Sequence, residues 1–297
     1  TFDKQSGLLT SYIYKKQEYI HNGQGPQPFF WRAPTDNDYG AKLPTRLKAW
    51  REASYQTPKA ESFNVSKDGD KSIVKVTYRF PQVDAQWEIT YKVFANGIIK
   101  VDNRFVAEGT ETPMIPRVGL RMQLSEILND LTYYGRGPEE NYRDRRTSQF
   151  IGEYTTPIKD LYEPYIRPQE NEHRTDIYWC ALTTKQKAGL LFIADRTFEL
   201  NASNYLLGSL DSGETIDNGA PRTNETNHRH LTDPQPVKQV DMFIDYRMMG
   251  VCGDNSWGAI AHEPYLIRPG VENAIEYGFS IVPFDKKADY KNLIYQY

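Results

Sequence analysis

The chain has 297 residues, 39% of them hydrophobic and 13% aromatic, with a formal net charge of −3 at pH 7. That composition suffices for one large β domain or two ordinary ones, and the charge leaves no electrostatic footprint for nucleic acid or an anionic membrane. No apolar stretch approaches the roughly 20 residues of a membrane-spanning helix.

Taken in order, the sequence reads as a series of short strands. TFDKQSGLLTSYIY starts within a hairpin, with residues 7–14 and 17–20 flanking a polar break. The chain is therefore expected to be a fragment of something longer. No basic segment followed by an apolar run opens it, so this fragment shows no signal peptide, and compartment stays open between cytoplasm and periplasm. FFWRAPTDNDYG (29–40) is too dense in turn formers for a strand, and Leu47 and Trp50 at i, i+3 predict a short helix over 43–53. Alternation then runs through Ile73, Val76 and Tyr78 and again through Trp87, Ile89, Tyr91 and Val93. Asn96-Gly97 separates two such runs and is the strongest hairpin signal. Residues 114–124 read as an edge strand, 125–131 as a helical turn, and 133–146 as a charged loop. Further strands are expected at 189–194, 198–202, 239–249, 264–267 and 273–283, with a long irregular loop at 208–236. Without a βαβ rhythm or a repeat, the class is all-β.

Twenty-one tyrosines in so polar a chain suggest faces that bury a ring and wet a hydroxyl. Two cysteines, Cys180 and Cys252, do not make a disulfide framework. Among the five histidines only His228 and His230 lie close together, without carboxylate or cysteine at ligand spacing, so a structural or sugar-facing pair is expected rather than a metal site.

The stretch MMGVCGDNSWG (248–258) leads from a strand into a turn of Gly, Asp254, Asn255 and Ser256 that ends in Trp257. On a sugar-binding surface, a wide ring held there would stack on the apolar face of a pyranose; otherwise it caps the end of a core. Glu139, Glu140 and Asp144 offer carboxylates of the type glycoside hydrolysis uses in pairs, but Arg136, Arg143, Arg145 and Arg146 among them predict a salt-bridged loop instead. Arg167, Glu170, Asn171, His173, Arg174 and Asp176 read equally as a sugar-facing lining or as a buried network tying strands together. No P-loop, GxSxG, HExxH or dinucleotide motif is present.

WRAPTDND (31–38), YYGRGPEENYRDR (133–145), RPQENEHRTD (167–176), NETNHRH (224–230) and GDNSW (253–257) occur in one order along the chain. That series resembles the C-terminal, small-chain region (domain 5) of β-galactosidases of glycoside hydrolase family 2, over nearly the whole length. The resemblance implies a single domain over 1–297, a large antiparallel supersandwich similar to galactose mutarotase. It also implies a separate TIM-barrel portion that holds the catalytic glutamates together with magnesium and sodium. No catalytic residue and no cofactor is therefore carried into this chain. Its partners would be that barrel, a carbohydrate substrate and further copies of the full enzyme. What transfers is Trp257 as a substrate platform, with Asp254, Asn255 and Ser256 shaping its loop. A mobile loop of the family corresponds to the segment from Gly40 to Arg46, although Lys42, Leu43 and Pro44 depart from it. Two other readings stay open: a scaffold for subunit contacts, and a sugar-binding or epimerase face with His173, His228 or Glu170 as acid/base groups.

Overall fold

In the computed structural model, residues 1–108, 114–211, 230–255, 257–270 and 274–295 are described. Strands β1 (Ile13–Tyr14) and β2 (Gln17–Glu18) make a small hairpin of their own. The other strands join one twelve-stranded sheet, antiparallel at every pairing. They are β3 (Gln27–Phe29), β4 (Ser62–Asp68), β5 (Lys71–Phe80), β6 (Ala85–Val93), β7 (Ile99–Ala107) and β8 (Arg117–Leu124), followed by β9 (Leu128–Gly137), β10 (Phe150–Pro157), β11 (Arg174–Thr184), β12 (Gly189–Ser203), β13 (Val240–Met248) and β14 (Ile275–Phe284). Helices are short: α1 (Asp36–Gly40), α2 (Leu43–Arg46), α3 (Lys48–Tyr55), α4 (Leu207–Leu210) and α5 (Tyr290–Ile294).

The sheet divides at β12. Gly189 to Ala194 pairs with β14, whereas Glu199 to Ser203 pairs with β13, and the exposed residues Asp195 to Thr197 carry the strand from one partner to the other. One branch runs β14–β7–β6–β5–β4 and the other β13–β8–β3. Between them lies the core. Phe30, Trp50, Trp87 and Phe105 meet with ring centroids 5.0–5.6 Å apart, each such pair adding about 0.5–1.5 kcal/mol beyond its buried area. The Trp87 indole N–H is satisfied by Asn103 Oδ1 at 3.0 Å.

Several expectations need correction. Residues 133–137 continue β9, paired with β10 from Phe150 to Tyr154, so the loop begins only at Pro138. Gly135 signals close strand packing there: a Cβ on it would run into Ile177. The strand β10 has no apolar alternation because both its faces are largely open to solvent, and it passed unread. A turn at Glu126–Ile127 leads directly into β9 in place of a helical turn over 125–131. Asp36–Gly40 is helical because Thr35 and Asp38 form a reciprocal capping box. The 43–53 helix is two helices broken at Leu47, and 264–267 is a short 3₁₀ turn over Glu263–Tyr265. The Asn96-Gly97 hairpin forms as read, with Gly97 at φ +93°.

Candidate functional site

The site is best built from the backbone of residues 249–252, the run that leads into the Trp257 loop. Arg32 is buried to 2% exposure and forks onto the Asp38 carboxylate at 3.0 and 2.7 Å. Its remaining N–H groups reach the carbonyls of Met249 (2.6 Å) and Gly250 (3.0 Å). Such planar bidentate pairing is a geometry lysine does not supply. Asn37, on the exposed side of α1, donates from Nδ2 to the Val251 carbonyl at 3.0 Å. From the other side the Asp144 carboxylate accepts the amides of Val251 (3.1 Å) and Cys252 (2.8 Å). Gly250 is required in that clamp, since a Cβ would collide with Asp144 and Ala261. WRAPTDND and NYRDR, far apart in sequence, thus converge on the backbone segment that leads into GDNSW.

Beyond Cys252 the loop leaves the body. Asp254 pairs with His262 at 2.8 Å, and Asn255 Oδ1 accepts the Trp257 amide at 2.8 Å in an Asx turn. Gly258 leaves the turn at φ +132°, with the Gly40 carbonyl beside it. The Trp257 indole itself is 91% exposed, while Trp31, Trp50, Trp87 and Trp179 are all buried. Ser256 lies outside the described residues.

A cleft of about 250 Å³ opens beside this segment, between α1, the turn at Tyr142 and Arg145, the Tyr165 to Glu170 stretch and the backbone at Val251 and Cys252. Glu140 ties three of the residues around it together. Its carboxylate accepts from Arg145 and Tyr165 and from the Tyr142 hydroxyl and the Glu172 amide, at 3.2 and 2.9 Å for the last two. Burial, reinforced by Glu140, pushes the Tyr165 phenol up. Arg136 and Arg146 instead share Asp176, at 2.7 and 2.9 Å. Arg167 lies over the Tyr39 ring at 4.2 Å and faces Asp36 at 3.6 Å.

Behind the cleft lies a buried polar network. Glu170 accepts from Arg117 (2.8 Å), Asn201 (3.0 Å) and the Ala33 amide (3.1 Å). His173 bridges Asn201 at Nδ1 (2.8 Å) and Glu199 at Nε2 (3.0 Å), and its ring stacks on Tyr142. Burial alone would push the His173 imidazolium down, but the Glu199 bond and the Asp245 charge outweigh it and its pKa rises. Asn171 and Arg174 are buried in the same layer: the Asn171 amide donates to Gln169 O, and Arg174 bonds the Tyr133 hydroxyl and the carbonyls of Glu172 and Pro138. Both oxygens of Glu170 and both nitrogens of His173 are thus occupied within the protein. Arg117 Nε lies 3.1 Å from Asp245 Oδ2 outside hydrogen-bond geometry, so that pairing is coulombic. Burial raises Asp245 to about 7 despite Arg117 and His173, and raises Glu172 to about 8, its one bond coming from Ser203 at 3.0 Å.

His230 is exposed, and His228 lies outside the described residues. Among the described residues no group of three or more His, Cys, Asp or Glu gathers to hold a metal. The sequence reading missed Arg117, Glu199, Asn201 and Asp245. Their signal was available, as charged and amide residues set within apolar strands must be paired if the strand is buried.

A family model described as the β-galactosidase small chain matches residues 1–281. A β-galactosidase of Priestia megaterium is 33% identical over 266 residues, covering 90% of this chain and 24% of that protein. The Lactobacillus delbrueckii subsp. bulgaricus β-galactosidase is 32% identical over 90% of this chain and 24% of its own, and that of Streptococcus thermophilus 30% identical over 95% and 26%. The chain thus spans about a quarter of the length of these relatives. Among solved structures, a GalM/aldose epimerase homologue from C. elegans aligns with a TM-score of 0.41 at 10% identity, over 96% of this chain and 80% of that one.

Proposed function

The chain belongs to the β-galactosidase small-chain family, and on that footing we propose that it completes the active site of a β-galactosidase whose catalytic glutamates, with the implied magnesium and sodium, lie in a separate TIM-barrel portion. Trp257 is its contribution: an indole offered as an apolar wall to the sugar ring and its aglycone. The observation that supports this most is the contrast along one loop. The base at Met249 to Cys252 is pinned by Arg32, Asn37 and Asp144, whereas the tip leaves a large aromatic 91% exposed. An exposed tryptophan on a rigid base spends little entropy on binding. Asp254 and Asn255 aim the loop. The buried Glu170, Asn171, His173 and Arg174 support the cleft from behind, as positioning residues.

A scaffold role in the assembled enzyme is supported by a different face. On the edge strand β10, Phe150 is 72% exposed and Ile151 40%, which suits an interface with another domain or copy.

Because the other four tryptophans are buried, collisional quenching reads Trp257 selectively. In the free chain, acrylamide or iodide is expected to quench a red-shifted part of the emission. That part should fall when the catalytic portion and a saturating galactoside analogue are added. Quenching that stays the same through assembly and ligand would overturn the platform role.

A further inference from the structure

A second and larger cleft, of about 800 Å³, lies where β12 changes partners. β14 meets β12 only from Phe279 onward, so Ile275 to Gly278 pairs with β7 on one side and, among the described residues, with no strand on the other. The bend at Asp195 to Thr197 forms one wall, and the end of β13 past its bulge, at Tyr246 and Arg247, forms another. Outward residues of β6 and β7 extend the floor. The volume is that of ordinary small-ligand sites, about 300–1,000 Å³.

The lining is polar but balanced. The carboxylates of Glu88, Asp102, Asp195 and Glu276 share the lining with the guanidiniums of Arg104, Arg196 and Arg247, and Lys100, outside the lining, bonds Asp195. A surface of this kind favours neither a phosphate nor a cation. It does present planar forks suited to pairs of neighbouring hydroxyls. Two tyrosines supply ring faces: Tyr277 is fixed by its hydroxyl donating to Ile244 O at 3.2 Å, and the Arg247 guanidinium lies 4.7 Å from the Tyr246 ring. At the floor Asn103 is 4% exposed, its Oδ1 accepts from Trp87, and its Nδ2 has no partner among the described residues.

We propose that this cleft binds an uncharged oligosaccharide at a site independent of Trp257. The inference goes beyond the proposed function and does not rest on it. Saturation-transfer NMR on the chain, with lactose, galactobiose and inorganic phosphate as probes, tests it. Both sugars are expected to bind saturably and phosphate is not. Arg196→Ala with Arg247→Ala, which breaks no ion pair among the described residues, should weaken sugar binding at least tenfold. Asp195→Asn, on the same bend as Arg196, should also weaken it, and Trp257→Ala should leave it unchanged. Absence of saturable sugar binding, or its persistence in both cleft variants, overturns the proposal. So does phosphate binding in place of sugar, or sugar binding lost only in Trp257→Ala.

Discussion

Arg117→Met is expected to destabilise the chain by about 3–5 kcal/mol, because removing one partner of a buried ion pair leaves the other charge uncompensated. Arg117 is fully buried, holds Glu170 at 2.8 Å, stands 3.1 Å from Asp245 and lies over the Phe243 ring at 4.2 Å. Methionine keeps much of the volume, so the loss would report charge rather than a cavity. The deficit should depend on pH. In the native protein Asp245 holds its proton to about pH 7, whereas an unfolded aspartate releases it near its ordinary value of 3.8. Between those values the native state binds more protons than the unfolded one, so this group's contribution to stability falls as pH rises. Without Arg117 the native pKa moves higher and the fall extends further. Urea unfolding from pH 4 to pH 8 should therefore show the smallest gap between variant and parent at the acid end and the largest at the alkaline end. A gap independent of pH would mean that Asp245 is not the group left stranded.

Trp257→Ala in the assembled enzyme is expected to raise KM by roughly five- to 150-fold, if sugar stacking is worth the about 1–3 kcal/mol of base–aromatic stacking. kcat should change much less, since a wall that binds substrate and transition state alike supplies uniform binding. The indole is 91% exposed among the described residues, so the melting temperature should not move. Trp257→Phe, retaining a smaller ring, should recover part of the loss. Steady-state kinetics over galactosides with small and large aglycones decide the matter. An unchanged KM across that series would remove Trp257 from the binding surface.

Much of the fold was legible because it is carried by alternation. Trp87, Ile89 and Tyr91 point inward at period two, and Asn96-Gly97 closes their hairpin where it was read. Elements with no such pattern were missed for physical reasons. β10 has solvent on both faces and so no apolar side to declare, and α1 is set by the capping box of Thr35 and Asp38 rather than by periodicity. Gly135 and Gly137 fall in the stretch read as a charged loop, though close packing on Ile177 and Tyr133 explains them better.

The candidate site was legible in its motifs but not in its contacts. Asp144 sits among arginines in sequence, yet in space it holds the amides of Val251 and Cys252, over a hundred positions away. Arg32 likewise reaches carbonyls beyond position 248. Linear spacing carries no record of such pairings, because they arise only once the segments that follow β3, β9 and β13 lie side by side. The four strand residues of the buried network, Arg117, Glu199, Asn201 and Asp245, were visible only as polar interruptions.

Hydrolysis of a chromogenic β-galactoside by this chain alone, and again with the catalytic portion added, decides whether the chain completes an active site. No turnover is expected from the chain alone, and turnover on mixing should exceed that of the catalytic portion by itself. Turnover by the isolated chain would contradict that expectation, and so would a catalytic portion whose rate and KM are untouched by the addition.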